Sequence, residues 1–294
     1  MINPFTEKYL TDTTDEKLVD TALGGSRKAL EELVLRHQAW IYNIALRMVW
    51  DHHDAEDVTQ ETLIKIITRL STFRKESHFR TWAYRIVANH VLTMRRRKAE
   101  ERTVSFEDYG KEIDETPDLD LPDPKALPVE IPVLLEEIKT SCMMGMLLCL
   151  DREQRLAFIL GEVLGVKDTV GSEILETSRE NFRQKLSRAR RQLANFMNEK
   201  CGLIREENPC HCARKTTALI RSGYVDPQSL RYHGHFVKRV AEVAAEKQRQ
   251  LESLLDERCR SLFREQPFRE PPDFVKSLRD LLESKEVREV FNFN

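Results

Sequence analysis

Between Arg74 and Lys98 the chain places Arg74, Lys75, Arg80, Arg85, Arg95, Arg96, Arg97 and Lys98 against a single acid, Glu76, and interleaves them with Trp82, Tyr84 and Asn89. Guanidinium groups bind phosphate and aromatic faces stack on bases, so this mixture suits a single-stranded nucleic acid. A second basic block runs from Ser178 to Arg191, with Arg179, Arg183, Lys185, Arg188, Arg190 and Arg191 against Glu180 alone. A third cluster, Cys201 with Cys210-His211-Cys212, offers thiolate and imidazole, the donors a tetrahedral structural zinc takes. His233 and His235 are further candidates for the fourth ligand. The C-x-C spacing is tighter than the usual C-x-x-C, so a thiol pair that reports oxidation and plain loop cysteines stand beside zinc as alternatives. No Gly-rich phosphate loop, carboxylate pair of catalytic spacing or nucleophile triad stands out, and no enzyme is expected. An enzyme reading would rest on the Cys/His cluster alone, as a zinc-activated water.

The elements that carry these residues are helical. Only 10 Gly and 11 Pro occur in 294 residues, too few turn formers for a sandwich or barrel. Hydrophobic residues make up 40%, and 47 basic residues nearly balance 49 acidic ones, which excludes wholesale disorder. The charge is segregated, however. An acidic stretch from Glu100 to Glu137, broken by Pro117, Pro122, Pro124, Pro128 and Pro132, lies between the two basic blocks. That layout suits a polyanion touched at two places, although each block taken singly also reads as a solvated helix face.

Residues 15–23 read as a short helix ended by Gly24-Gly25, and a second helix runs from Arg27 through Val49 on the apolar spacing of Leu30, Leu33, Val34, Ile41, Ile44 and Met48. Asp54 is placed to cap a third helix with Val58, Leu63, Ile66 and Ile67 inward. Glu56, Asp57, Gln60 and Glu61 fall on its surface, where the helix dipole favours acids and where a partner could also dock. A fourth helix covers 79–94. Farther on, Asp151 is expected to cap a helix over 153–164. A short helix over 168–175, a tight turn at 176–178 and a basic helix over 179–197 opened by Ser178 make a helix-turn-helix, set against an ordinary helical hairpin.

Asp54-Ala-Glu-Asp57-Val-Thr-Gln60-Glu61-Thr, then Phe73-Arg74 and Phe79-Arg80-Thr81-Trp82-Ala-Tyr84-Arg85-Ile86-Val-Ala-Asn89, resembles region 2 of the extracytoplasmic-function (ECF) sigma factors. The resemblance implies that Asp54, Glu56, Asp57, Gln60, Glu61 and Ile64 dock on the clamp helices of the RNA polymerase largest subunit. It implies that Arg74, Lys75, Ser77, His78, Phe79, Arg80, Trp82, Arg85, Asn89, Arg95 and Arg96 capture a flipped base and the melted minus-ten strand. Leu150-Asp-Arg-Glu-Gln-Arg155 through Ser187-Arg188-Ala189-Arg190-Arg191-Gln-Leu193 is similar to sigma region 4. There Ser178, Arg179, Glu180, Asn181, Arg183, Gln184, Lys185, Arg188 and Arg191 would read the minus-thirty-five element, arginine and amide side chains at base edges and the later cations at phosphates. Gly171 stands where that family usually has Ala, and Glu176 where it usually has Gly.

The expected architecture is therefore all-α: a region 2-like bundle over 1–99, a flexible acidic linker over 100–132, a region 4-like helix-turn-helix over 133–200 and a helical Cys/His-containing extension over 201–294. In the extension, a charged helix over 236–263 and a last helix carrying Phe274, Leu278, Leu281, Leu282 and Val290 each need a face to bury. The expected partners are core polymerase (clamp helices and flap), promoter DNA, and either an anti-sigma protein or the extension acting on its own chain. A free-standing helix-turn-helix repressor is the alternative function. No apolar run approaches the roughly 20 residues of a membrane span, and the first residues lack a secretory pattern, so a cytoplasmic protein with no required cofactor is expected.

Overall fold

The computed structural model describes residues 3–6, 9, 12–102, 105–232, 236–239 and 254–279, which form a stack of helices and one two-stranded antiparallel pair. Helices α1 (Thr14–Leu23) and α2 (Arg27–Val49) meet at Gly24-Gly25, where Gly25 takes a left-handed φ of 97°. Ser26 caps α2 by accepting the Ala29 N–H at 3.3 Å. Asp51, not Asp54, caps α3 (His52–Thr68), accepting the Asp54 N–H at 3.0 Å. The cap must be extended while the helix runs on, and Asp51 is the extended residue, with φ −137° and ψ 138°. Helix α4 (Phe79–Thr93) has no capping side chain of its own; Glu16 of α1 accepts the Phe79 N–H at 3.2 Å instead.

The acidic segment differs from a flexible tether. It forms α5 (Lys98–Arg102) and α6 (Phe106–Glu115), the latter capped by Ser105. One face of α6 is apolar: Phe106 and Tyr109 pack on Phe196 with ring centroids 5.2 and 5.9 Å apart. The Tyr109 hydroxyl donates to the Cys142 carbonyl at 3.1 Å. Composition averaged over the segment hides this face, because its acids point outward and its few rings point inward.

Helix α7 (Ile131–Leu148) leads to α8 (Arg152–Phe158), which continues through a π-turn over Ile159–Val163. Helices α9 (Asp168–Ile174) and α10 (Arg179–Lys200) follow. Asp151 and Ser178 cap α8 and α10 as the sequence predicts, accepting N–H groups at 2.8 and 3.1 Å. The two helical groups share one apolar cluster, with α4 against α8 and α9, and α2 against α7 and α8. Arg155, 3% exposed, fastens the seam. Its guanidinium donates to the carbonyls of Met48 (2.6 Å), Leu147 (2.9 Å), Leu148 (3.1 Å) and Leu150 (3.0 Å), satisfying helix ends that have no partner of their own, and it pairs with Glu100 at 2.9 Å. Arg152 does the same for Leu92 and Met94 at the end of α4.

In the extension, α11 (Cys212–Arg221) holds the acidic segment: the Leu119 N–H donates to the Arg214 carbonyl at 2.8 Å and the Thr217 hydroxyl to that of Asp120 at 2.6 Å. Of the helix expected over 236–263, the described residues show α12 (Leu254–Arg264). Its predicted start is strand β1 (Phe236–Arg239), paired with β2 (Pro267–Arg269). The apolar positions Val240, Ala244 and Leu251 lie outside the described residues. A short α13 (Phe274–Ser277) buries Phe274 and Leu278, while Leu281, Leu282 and Val290 also lie outside them. The β2–α13 stretch packs on α2. Phe268 packs tilted against Trp40, ring centroids 4.9 Å apart, the Arg47 guanidinium donates to the Pro267 carbonyl at 2.9 Å, and the Asn43 amide exchanges hydrogen bonds with the Arg269 backbone at 2.8 and 3.0 Å.

Candidate nucleic-acid interface

On the second basic helix most of the predicted readers are exposed. Ser178, Arg179, Glu180, Asn181, Arg183, Gln184, Arg188 and Arg191 are all exposed, because Phe182, Leu186, Ala189, Leu193 and Phe196 occupy the inward stripe of α10. Lys185 is half-buried and sits 3.1 Å from Glu153, and Arg183 pairs with Asp168. Glu162, at 1% exposed, takes Arg190 Nε at 2.7 Å, so that arginine serves the fold rather than the outer face.

Around α4 the predicted set divides. Arg74, Lys75, His78, Asn89, Arg95 and Arg96 are exposed, and Ser77, Trp82 and Arg85 are half-buried. Arg74 to His78 form a loop in which Lys75 takes φ 60° and its ammonium lies 2.6 Å from Asp20. With Asp12, Glu16, Arg85 and Glu173 this loop encloses an open cleft of about 630 Å³. Two residues depart from expectation. Phe79 is core, set edge-on to Phe73 at 5.6 Å. Arg80 is drawn inward to 3% exposure, where it donates to the Pro4 and Thr6 carbonyls at 2.8 and 3.1 Å and lies 5.0 Å over the Tyr9 ring. Its cation is occupied by the folded start of the chain, so it does not face the cleft's ligand side. Trp82 packs on Phe73 and Phe79 at 5.5 and 5.7 Å, leaving only part of its ring at the surface.

The acidic patch lies on α3 as expected, with Asp57 and Glu61 exposed, Asp54, Glu56 and Gln60 half-buried, and Ile64 resting on the core beneath. Arg97 arches over it, 3.5 Å from Asp54, 4.0 Å from Asp57 and 3.6 Å from Glu61. His90 Nε2 lies 3.2 Å from Glu61. Burial and the neighbouring Lys65 together hold the His90 imidazole below its ordinary range despite that carboxylate.

The cysteine cluster regroups. Cys201 and Cys210 are joined by a backbone bridge, and Cys142 of α7 lines the same small apolar cavity as Cys201, Cys210 and Cys212. His211 stands apart, beside Gly202 in an open cleft with Asn208 and Arg214. Burial, with the nearby thiols adding to it, pushes Cys210 up to about 11 and Cys212 up to about 12. Among the described residues no group of three or more His, Cys, Asp or Glu side chains is disposed to hold a metal ion; His233 and His235 are outside them.

Sequence reasoning missed four participants. Glu173 and Glu176 touch the α4 readers, and the only signal was Glu176 at a turn position that favours glycine. Arg97 belongs to the first basic block in sequence but covers the acidic patch. Cys142 lies in an apolar run with no spacing that ties it to the other three cysteines.

These surfaces, an acidic helix beside a cationic helix and a separate basic helix-turn-helix, define a helical transcription factor of the sigma type. The sigma-70 region 2 family model matches residues 33–101. The ECF RNA polymerase sigma-E factor of Haemophilus influenzae is 30% identical over 190 residues, covering 62% of this chain and 94% of that one. The RNA polymerase sigma-H factor of Pseudomonas aeruginosa is 38% identical over 102 residues, 34% of this chain, and the chain spans about half (53%) of that relative's length. Among solved structures, CnrH in complex with the cytosolic domain of CnrY is similar with a TM-score of 0.44 and 21% identity, over 63% of this chain and 97% of that one. The chain belongs to the ECF sigma factor family.

Proposed function

We propose that the chain directs RNA polymerase core to specific promoters and helps open them. The observation that supports this reading is the division of labour on the surface: an exposed cationic face on α10, a mixed-charge cleft beside α4 that includes Lys75, His78 and Arg85, and an acidic patch on α3. In this reading α10 lies in the major groove of the minus-thirty-five element. The loop before α4, with Arg85 and Asn89, holds the melted minus-ten strand, where stacking and phosphate contacts offset the cost of unstacking bases. Asp57, Gln60 and Glu61 dock on the clamp helices of the largest subunit, and region 4 on the flap. Binding alone does this work, so the chain needs no catalytic residue and the bond-making stays with the core enzyme. An anti-sigma protein is proposed as a further partner on the strength of the likeness to ECF sigma factors. Within the described residues no helix is long and apolar enough to cross a membrane.

The test is run-off transcription with purified core on a library of genomic fragments. Charge reversal in Asp57→Lys/Glu61→Lys should abolish the transcript and the co-purification with core, while far-UV circular dichroism stays unchanged. A free-standing repressor would have no use for that surface. Unchanged transcription by the double variant would refute the reading.

A further inference from the structure

Helix α10 and helix α12 of the extension face each other across a gap. Ser187, Arg191, Ala194 and Asn198 recur every three or four residues and so share one stripe of α10, while Cys259 and Phe263 share one of α12. The side chains of Ser187, Ala194 and Cys259 are too small to close the space between the stripes, and a cavity of about 340 Å³ remains. That volume lies within the range of small-molecule sites. One wall is apolar. Phe158 and Phe263 meet edge-on with ring centroids 5.0 Å apart, Leu193 lines the cavity with them, and all three are buried.

The rest of the lining is cationic. Among the described residues Arg190, Arg191 and Arg260 border the cavity and no acid does. Arg190 and Arg260 come from the two facing helices, and both reach the buried carboxylate of Glu162, at 2.7 and 3.6 Å. Glu162 does not itself line the space, so it fixes two guanidiniums at the wall from outside. Each guanidinium is a planar fork of five donors, a shape that takes an acid group through two oxygens. Asn198 adds an acceptor: its Oδ1 is buried and meets no hydrogen-bond donor among the described residues. Voids left by packing alone are apolar, whereas this one is bordered by three cations and an unmet carbonyl oxygen.

We propose that the cavity between α10 and α12 is a binding site for a small organic acid with an apolar body. The acid group lies between Arg191 and Arg260, the aliphatic or aromatic body lies on Phe158, Leu193 and Phe263, and an O–H or N–H of the ligand donates to Asn198 Oδ1. Neither half of such a ligand suffices alone, because an inorganic anion leaves the apolar wall uncovered and a hydrocarbon leaves the guanidiniums unused. Arg191 belongs both to this cavity and to the exposed face of α10 proposed to meet DNA, but the site does not depend on that proposal.

The test titrates the full chain with anilinonaphthalene sulfonate, which joins a sulfonate and an N–H to apolar rings, and follows the fluorescence of the dye. One saturable site per chain is expected, from which decanoate displaces the dye and inorganic phosphate at the same concentration does not. Arg191→Gln and Arg260→Gln should each weaken binding about tenfold. Ala194→Phe, which fills the cavity, should abolish it. Ser187→Trp should do the same from an exposed position, and it decides the matter where the core substitution fails to fold. No saturable binding by wild type, or full binding by a Ser187→Trp protein whose circular dichroism matches wild type, would overturn the proposal. So would displacement by phosphate as effective as by decanoate, or arginine variants that bind as wild type does, since the first would leave only a charge and the second only an apolar patch.

Discussion

Gly171 lies within α9, at a place where related helix-turn-helices usually carry alanine. Helix propensity alone makes Gly171→Ala stabilising by about 1 kcal/mol. The packing opposes it. A Cβ at this position would stand 2.4 Å from Phe182 Cζ, 2.6 Å from Cε2 and 3.0 Å from Cε1, and Phe182 is completely buried on α10. A methyl pressed against three atoms of a ring that cannot swing out belongs at the upper end of the overpacking range, about 3 kcal/mol. The net expectation is a loss of about 2 kcal/mol, read as a lower urea midpoint with an unchanged slope. Phe182→Leu alone should cost about 1–2 kcal/mol through the space it leaves. Combined with Gly171→Ala it should cost nearly nothing further, a coupling of about 2 kcal/mol in the double-mutant cycle. A Gly171→Ala protein more stable than wild type, with no coupling to Phe182, would refute the claim that this glycine exists to seat the ring.

Four further outcomes follow from particular contacts. Burial pushes the Glu100 carboxyl up, but Arg152 at 2.8 Å and Arg155 at 2.9 Å outweigh it and hold the group below the ordinary carboxylate range. A depressed folded value stabilises the protein above the unfolded value and loses that contribution as pH falls through the folded one, so wild type should lose stability below about pH 4 more steeply than Glu100→Gln in urea titrations. At neutral pH Glu100→Ala should cost about 3 kcal/mol, because Arg155 is left buried without its counter-ion. Gly145→Ala would place a Cβ 2.7 Å from the Tyr109 hydroxyl, so α6 should undock and the 100–132 segment should become the first site of limited proteolysis. Asn43→Leu, which removes both hydrogen bonds to Arg269, should cost about 2 kcal/mol and raise amide exchange across 267–278.

What could be read in the sequence was local. Ser178 and Asp151 cap the helices assigned to them, the apolar stripe of α10 leaves the expected cations outside, and α2 and α4 keep their predicted spans to within a residue or two. Most of the failures involve partners far along the chain. Arg80 reads as a surface cation until the carbonyls of Pro4 and Thr6 come within reach, more than seventy residues away. Residues 236–239 have helical periodicity, but their strand partner is 267–269, and no local window contains both. Arg155 sits in a motif that resembles region 4, yet its hydrogen bonds go to the ends of α2 and α7. Asp51 and Asp54 both make good caps on paper, and only the extended backbone at Asp51 decides between them. Cys142 became part of a thiol cluster only because α7 runs past the Cys201–Cys210 bridge.

The near-neutral net charge of −2, which says nothing as a sum, acquires meaning from these pairings. The acidic patch meets Arg97, the α4 readers meet Glu173 and Glu176, and on α10 Arg183 meets Asp168 and Lys185 meets Glu153. Most of these pairs are partly exposed, where an ion pair contributes roughly 0–1 kcal/mol, so they add little to folding. The buried pairs, Glu100 with Arg155 and Glu162 with Arg190, lie instead at helix seams, where removing one partner is costly. Structural charge and functional charge thus separate by depth. The Glu100–Arg155 pair helps hold the two helical groups in register, and the Glu162–Arg190 pair ties α10 to the turn after α8, while the surface pairs leave each charged face only weakly neutralised from within. A chain whose working surfaces are strongly charged would otherwise repel itself or bind polyanions indiscriminately, and charges balanced within the molecule reduce both tendencies before any ligand arrives.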